Sequence, residues 1–291
     1  MKIKKAVIPA AGMGTRMLPA TKSMPKEMLT LVDTPAIQYI VEEAVNSGIE
    51  DILIVLSRGK SCVEDHFDRS PELEAKLLTG RKEEEYEKIR RISEMANLQY
   101  VRQQSPLGLG HAVLCAKAFV GNEPFAVLYG DDVIIGEDPA CRQLMEAYDK
   151  YEKGVVGIKE VPSEHIVRYS SLSVNQLEGN HYAVDDMVEK PSTPEEAFSN
   201  FSILGRCVLP PSVFSILEKI PTGAGGELQL TDAMAELARS EGIIGVDYTG
   251  KRYDMGNKLG VLQAIVEVGC NHNDVGEDFK KYLKEFAKTL D

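Results

Sequence analysis

Arg16, Lys22 and Lys26 crowd one short stretch of a chain that is otherwise strongly acidic, and they follow directly on a glycine turn. The turn is Ala10-Ala11-Gly12-Met13-Gly14-Thr15, and the apolar Ala6-Val7-Ile8 ahead of it reads as a buried strand. Glycines there permit a sharp bend and let the backbone approach a ligand with no Cβ in the way. A strand, a glycine turn and clustered cations suit a triphosphate. Arg16 is the best placed of the three, because a guanidinium forks onto phosphate oxygens and keeps its charge. A second candidate is Asp131-Asp132, which follows the apolar run Phe125 to Tyr129 and a glycine. A carboxylate at a strand end beside phosphates is a natural ligand for a hard cation.

Two familiar phosphate loops fail against the turn. A Walker A loop carries Gly-Lys-Ser/Thr after its first glycine and four further residues, and no such string follows. The dinucleotide fingerprint needs a third small residue where Met17 stands, for close helix–strand contact. That departure also speaks against an NAD-dependent dehydrogenase.

The elements that must position these groups alternate along the first half. Thr34 reads as a helix N-cap, Pro35 as the first helical residue and Gly48 as the stop, with Ile37, Ile40, Val41, Ala44 and Val45 on one apolar face between. Ile52 to Leu56 is a continuous apolar run, the pattern of a strand covered on both faces. Leu98 to Val101 and Phe125 to Tyr129 repeat it. The alternation predicts an α/β fold with a Rossmann-like, doubly wound and mainly parallel sheet, its ligand lying off the carboxyl ends of the strands. Residues 72–96, dense in Lys, Arg and Glu, predict a solvated helical insertion. Beyond residue 154, Val155–Val161, Leu172–Val174, Tyr182–Val188 and Ile203–Leu209 are strand-like, joined by polar turns, and predict a smaller, more antiparallel subregion. Phe279, Tyr282, Leu283, Phe286, Ala287 and Leu290 share one face of a C-terminal amphipathic helix.

The formal net charge of −12, from 33 basic and 45 acidic residues, argues against a general nucleic-acid or anionic-membrane binder. It also gives a local cluster of cations more weight. Five cysteines without CxxC spacing fit reduced thiols better than disulfides or a zinc site. The basic start is followed by too short an apolar run for a signal peptide, and no stretch approaches a membrane span. We therefore expect a cytoplasmic protein.

The whole string from Ala10 to Leu29, completed by Thr21-Lys22-Ser23-Met24-Pro25-Lys26-Glu27-Met28-Leu29, resembles the signature of the sugar-1-phosphate nucleotidyltransferases. Within them the continuation is most similar to the bacterial uridylyltransferases that use glucose 1-phosphate. The resemblance runs nearly end to end, with the motifs in the family's order. It implies a nucleotidyltransferase fold of GT-A-like mixed sheet. It further implies UMP transfer from UTP to α-D-glucose 1-phosphate, yielding UDP-glucose and pyrophosphate, with Mg²⁺ as cofactor and a homodimer or homotetramer as assembly. We expect a single domain over 1–291: a nucleotide-binding half to about 153, a sugar-phosphate half over about 154–254 and a helical segment from about 255.

The resemblance also distributes roles. Arg16 is implied on the triphosphate and Lys26 near the reacting phosphates, with Ala10, Ala11, Gly12, Gly14 and Thr15 forming the nucleotide loop and Asp132 beside it. Mg²⁺ is assigned to Asp131, with Asp254 of Tyr253-Asp254-Met255-Gly256 as the second acidic position. Gln103, which follows the strand ending at Val101, and Gly108 inherit recognition of the base. The Gln side chain offers a donor and an acceptor to a uracil edge, while His111 reads as a structural residue at a helix start. Val188-Glu189-Lys190-Pro191 supplies a Glu for sugar hydroxyls and a Lys for the sugar phosphate, and Gly205-Arg206 and Glu227 resemble segments lining the sugar side. Thr231-Asp232 reads as a cap of the next helix. Where the family commonly has Tyr-Gly, this chain has Tyr169-Ser170-Ser171, so a serine Cβ narrows the sugar side. Another base or sugar, as in a dTTP-dependent enzyme, and a non-catalytic sugar-nucleotide binder stand as alternatives.

Overall fold

The computed structural model of the chain describes residues 2–290. In chain order the strands are β1 (Lys5–Pro9), β2 (Thr30–Leu31), β3 (Thr34–Pro35), β4 (Asp51–Leu56), β5 (Asn97–Arg102), β6 (Phe125–Leu128), β7 (Asp132–Ile135), β8 (Gly154–Glu160), β9 (Ser170–Glu178), β10 (His181–Glu189), β11 (Phe201–Leu209), β12 (Ile243–Asp247) and β13 (Lys251–Asp254). The helices are α1 (Ala36–Asn46), α2 (Ser61–Phe67), α3 (Pro71–Thr79), α4 (Glu83–Ser93), α5 (Leu109–Leu114), α6 (Lys117–Val120), α7 (Ala140–Tyr151), α8 (Ser212–Leu217), α9 (Leu230–Ser240), α10 (Lys258–Asn271) and α11 (Gly276–Ala287).

Nine strands form one mixed sheet in the order β5-β4-β1-β6-β11-β8-β12-β10-β9. β5, β4, β1 and β6 are parallel, and β11 runs antiparallel to both β6 and β8. Strands β8 to β12 therefore extend the same sheet, with β12 parallel to β8 and β10 antiparallel to its neighbours, while β13 pairs apart from it with β7. Because side chains alternate across a strand, the continuous apolar runs feed two cores. Ile8, Ile52, Ile54 and Leu128 pack on one face with Ile37, Ile40 and Leu144, while Val7, Leu53, Val55 and Val127 pack on the other with Phe214 and Leu230. Full burial of each such side chain contributes about 1.5–3 kcal/mol.

One predicted boundary differs. Thr34 and Pro35 pair as β3 with β2 in a short hairpin, and α1 starts at Ala36 with no side-chain cap. The Thr34 hydroxyl instead donates to Asp33 Oδ1 at 2.9 Å, so the hairpin wins the residue that the N-cap pattern claimed. Gly48 does sit beyond the helix end, at φ 91°. The charged stretch forms α3 and α4, both largely exposed. α11 packs on α10 with Phe279 against Gly269, leaving Tyr282, Phe286 and Leu290 exposed. All five cysteines are free. Among the described residues no helix is long and apolar enough to cross a membrane.

Candidate active site

β1 ends at Pro9, and the Ala10 amide continues the sheet's bonding by donating to the Val55 carbonyl at 2.8 Å. The chain then turns through Gly14 in the left-handed region, φ 65°, a conformation that glycine adopts without Cβ strain. Single helical turns at Thr15–Met17, Ala20–Lys22 and Lys26–Met28 fold the rest of the motif back over itself. The Thr21 hydroxyl donates to the Gly14 carbonyl at 2.7 Å and holds that fold closed. Lys26 is thereby brought under Gly12, where a Cβ would lie 3.7 Å from its Nζ. Arg16 and Lys22 remain exposed.

Asp131 arrives from the neighbouring strand end. A Cβ on Gly130 would stand 2.6 Å from the Pro9 carbonyl, so only glycine lets the end of β6 lie this close to the end of β1. The Asp131 carboxylate accepts from Lys26 Nζ at 2.5 Å. Burial opposes its charge, but Lys26, with Arg252 and Arg16 beyond it, holds the carboxyl below the ordinary Asp range. For Lys26 too burial opposes the charge, and Asp131 outweighs it and raises the ammonium. β13 pairs antiparallel with β7, setting Asp254 opposite Asp132, and the Met255 amide donates to the Asp131 carbonyl at 2.8 Å. The three groups meet at Gly256. A Cβ there would be 2.6 Å from Arg16 Nη2, 3.0 Å from Asp254 Oδ1 and 3.3 Å from Asp131 Oδ2.

A cavity of about 640 Å³ opens from this point. Arg16, Asp131 and Asp254 line it, together with Tyr169, Ser170, Glu189, Lys190 and Glu227 from the sugar-side segments. Glu189 ends β10 and accepts from the Thr231 hydroxyl at 2.7 Å, with Lys190 Nζ 3.3 Å from its other oxygen. Thr231 thus orients Glu189 and does not cap α9, which carries no side-chain cap. Lys190 is half-exposed, on a backbone at φ 46° that is unusual for a side-chain-bearing residue. Ser170 sits across from Glu189 in the β9–β10 register. Its hydroxyl accepts from the Ile203 amide at 3.1 Å and lies 3.3 Å from Ser202 Oγ, so the extra group is fixed in the cavity wall.

Other predicted residues sit differently. Asp132 is buried, and Arg252 donates to its Oδ1 through Nε at 2.8 Å. Burial pushes the Asp132 carboxyl up to about 6, against the pull of Arg252, whose guanidinium also lies over the Tyr169 ring. The bare Cα of Gly205 makes room for Asp132, since a Cβ there would be 2.9 Å from Oδ2. Arg206 does not reach the cavity. It is 1% exposed and forks onto Glu43 at 2.9 and 2.6 Å, a buried pair across the sheet's flank. Gln103 and Gly108 lie outside the cavity's lining. Gln103 Nε2 donates to the Gly108 carbonyl at 3.0 Å and is 3.1 Å from His111 Nδ1 at the start of α5. At Gly108, φ 100°, a Cβ would stand 2.7 Å from the Leu228 carbonyl oxygen. The missing side chain therefore lets the 107–110 loop lock onto 227–229.

Sequence reasoning missed Arg168 and Arg252 as further cations lining the cavity, and Lys60 beneath the glycine turn. Lys60 follows the carboxyl end of β4, which is where a doubly wound sheet gathers ligand-facing groups, and that position was the available signal.

The nucleotidyl transferase family model matches residues 5–286, and the chain belongs to that family. The relatives it resembles carry a narrower description. It is 53% identical over 99% of its length to UTP–glucose-1-phosphate uridylyltransferase YngB of Bacillus subtilis strain 168, covering 96% of that protein. The structure of a UTP-bound UGPase from Acinetobacter baumannii aligns at TM-score 0.90 and 41% identity, over 97% of this chain and 99% of that one. A UDP-glucose pyrophosphorylase complexed with UDP-glucose aligns at TM-score 0.82 and 43% identity, over 90% and 97% of the two chains.

Proposed function

We propose that this chain transfers UMP from UTP to α-D-glucose 1-phosphate, releasing UDP-glucose and pyrophosphate, with a divalent cation, Mg²⁺, as cofactor. The observation that carries the reading is the meeting of Arg16, Asp131 and Asp254 at Gly256, in one cavity with Glu189 and Lys190. The near-full-length relatives named for this reaction support the choice of substrates.

Such a transfer asks little covalent chemistry of a protein. It needs two polyanions brought together in line and the charge on the leaving pyrophosphate neutralised. Lys190 holds the phosphate of the sugar, whose oxygen attacks the α-phosphorus of UTP as the bond from that phosphorus to the bridging oxygen breaks. Arg16 and Lys26 hold the triphosphate and stabilise the departing pyrophosphate, and the turn from Ala10 to Thr15 packs under the nucleotide. Glu189, steadied by Thr231, accepts from sugar hydroxyls, as does Glu227 from elsewhere in the same cavity lining. Gln103 and Gly108 read the base from the loop that Leu228 clamps. Gly205 and Asp132 support the site from behind through Arg252.

Asp131 and Asp254 would hold the cation. Among the described residues no group of three or more His, Cys, Asp or Glu could hold a metal. Two carboxylates plus substrate phosphates are, however, the donor set that Mg²⁺ takes in phosphoryl-transfer sites. The bound cation would draw negative charge from the α- and β-phosphates. Cytoplasmic location and a homodimer or homotetramer complete the proposal; the exposed row of Tyr282, Phe286 and Leu290 supports the assembly. A panel of UTP and dTTP against several sugar 1-phosphates tests the substrates. UTP with glucose 1-phosphate should give the highest kcat/KM, and a preference for dTTP or another sugar would contradict the reading.

A further inference from the structure

Beneath the glycine turn lies an ion pair with no part in the chemistry above. Glu27 is fully buried and Lys60 nearly so. Lys60 Nζ donates to the Ala10 carbonyl at 2.5 Å and to Glu27 Oε2 at 2.8 Å. Ala10 opens the glycine turn, and Glu27 is the residue after Lys26, so one ammonium ties together the two ends of the segment that carries Arg16. The other Glu27 oxygen, Oε1, is buried without a hydrogen-bond partner. Burial drives the Lys60 ammonium down and the Glu27 carboxyl up, each against the pull of its partner. Such a pair is a poor means to stability, because desolvation offsets its attraction and a well-packed apolar pair of similar volume often serves as well. What an apolar pair cannot supply is a donor for the Ala10 carbonyl at a fixed distance from Lys26.

We infer that Lys60 is a positioning residue: through Ala10 and Glu27 it sets the spacing between the glycine turn and Lys26, and with it the grip on the triphosphate. The assignment rests on the proposed reaction, in which segment 10–27 holds UTP. Pyrophosphate release is measured with UTP and glucose 1-phosphate varied separately, for the parent, for Lys60→Met/Glu27→Gln and for Lys60→Arg, alongside thermal melts. A parent inactive with these substrates would refute the proposed reaction itself, whatever the variants do. With an active parent, the double variant leaves no unpaired charge and should fold. It should raise KM for UTP about tenfold, the loss of one charge-assisted hydrogen bond, with KM for glucose 1-phosphate within about twofold of the parent. Lys60→Arg keeps a donor for the Ala10 carbonyl and should recover most of the UTP KM. A parental KM for UTP in the double variant, equal rises in both KM values, no recovery in Lys60→Arg or a double variant too unstable to purify would each mark the pair as scaffold alone and overturn the inference.

Discussion

Gly256→Ala isolates the convergence of Arg16, Asp131 and Asp254 from the rest of the fold. The added methyl would stand 2.6 Å from Arg16 Nη2, 3.0 Å from Asp254 Oδ1 and 3.3 Å from Asp131 Oδ2. A comfortable contact is about 3.5 Å, so the guanidinium tip must retreat by about 1 Å and the Asp254 carboxylate by about half that. A misplacement of about 1 Å in a reacting constellation costs about 10²-fold in rate, or about 2.7 kcal/mol of barrier. Stability should hardly change. Gly256 is not in the left-handed region, and the group it displaces most is the far end of an exposed, flexible side chain, so the melting free energy should move by less than about 1 kcal/mol. Pyrophosphate release and a denaturant melt on the same preparation separate the two effects. A kcat/KM near the parent's would refute the idea that these three groups act together, and a large loss of stability would show that Gly256 serves the scaffold.

Lys190→Ala should slow turnover on the order of 10²-fold, as loss of an electrostatic clamp does, in a protein that melts like the parent; steady-state kinetics check it. Glu43→Ala leaves the Arg206 guanidinium buried without its carboxylate and should lower stability by about 3–5 kcal/mol, read from denaturant midpoints, with both KM values unchanged. Asp132, at about 6 in the fold against an ordinary 3.8, binds its proton more tightly folded than unfolded. Its contribution to stability therefore falls as pH rises from about 4 to about 6 and is level above. The difference in unfolding free energy between the parent and Asp132→Asn should show that slope, and a flat difference would contradict it.

Two of the groups that meet at Gly256 were legible from local pattern, since Asp131 ends an apolar run and Arg16 follows a glycine turn that leaves one. Asp254, after Lys251-Arg252-Tyr253, was marked only by the family resemblance. Asp131 and Arg16 needed nothing more, and the parallel order of β1 and β6 followed from the alternation around them. What was not legible depends on pairings between distant segments. Glu43 and Arg206 lie 163 residues apart, and nothing in the spacing of either announces that they share one buried contact. The same holds for Lys60 with Glu27, and for Arg252 with Asp132. The contact of the Gly108 Cβ direction with the Leu228 carbonyl was not legible either, because it is set by how two loops dock. Thr34 went astray for a local reason: a hairpin of two-residue strands competes for the same Thr-Pro that marks a helix start.

In the proposed reaction two anionic substrates meet at the cations and carboxylates of one cavity. Pyrophosphate release from UTP, followed with and without glucose 1-phosphate and with and without Mg²⁺, tests this most directly. Release should occur only when the sugar phosphate and the cation are both present, with UDP-glucose formed in equal amount. Folded protein that releases no pyrophosphate under those conditions, or that releases it without glucose 1-phosphate, would contradict it.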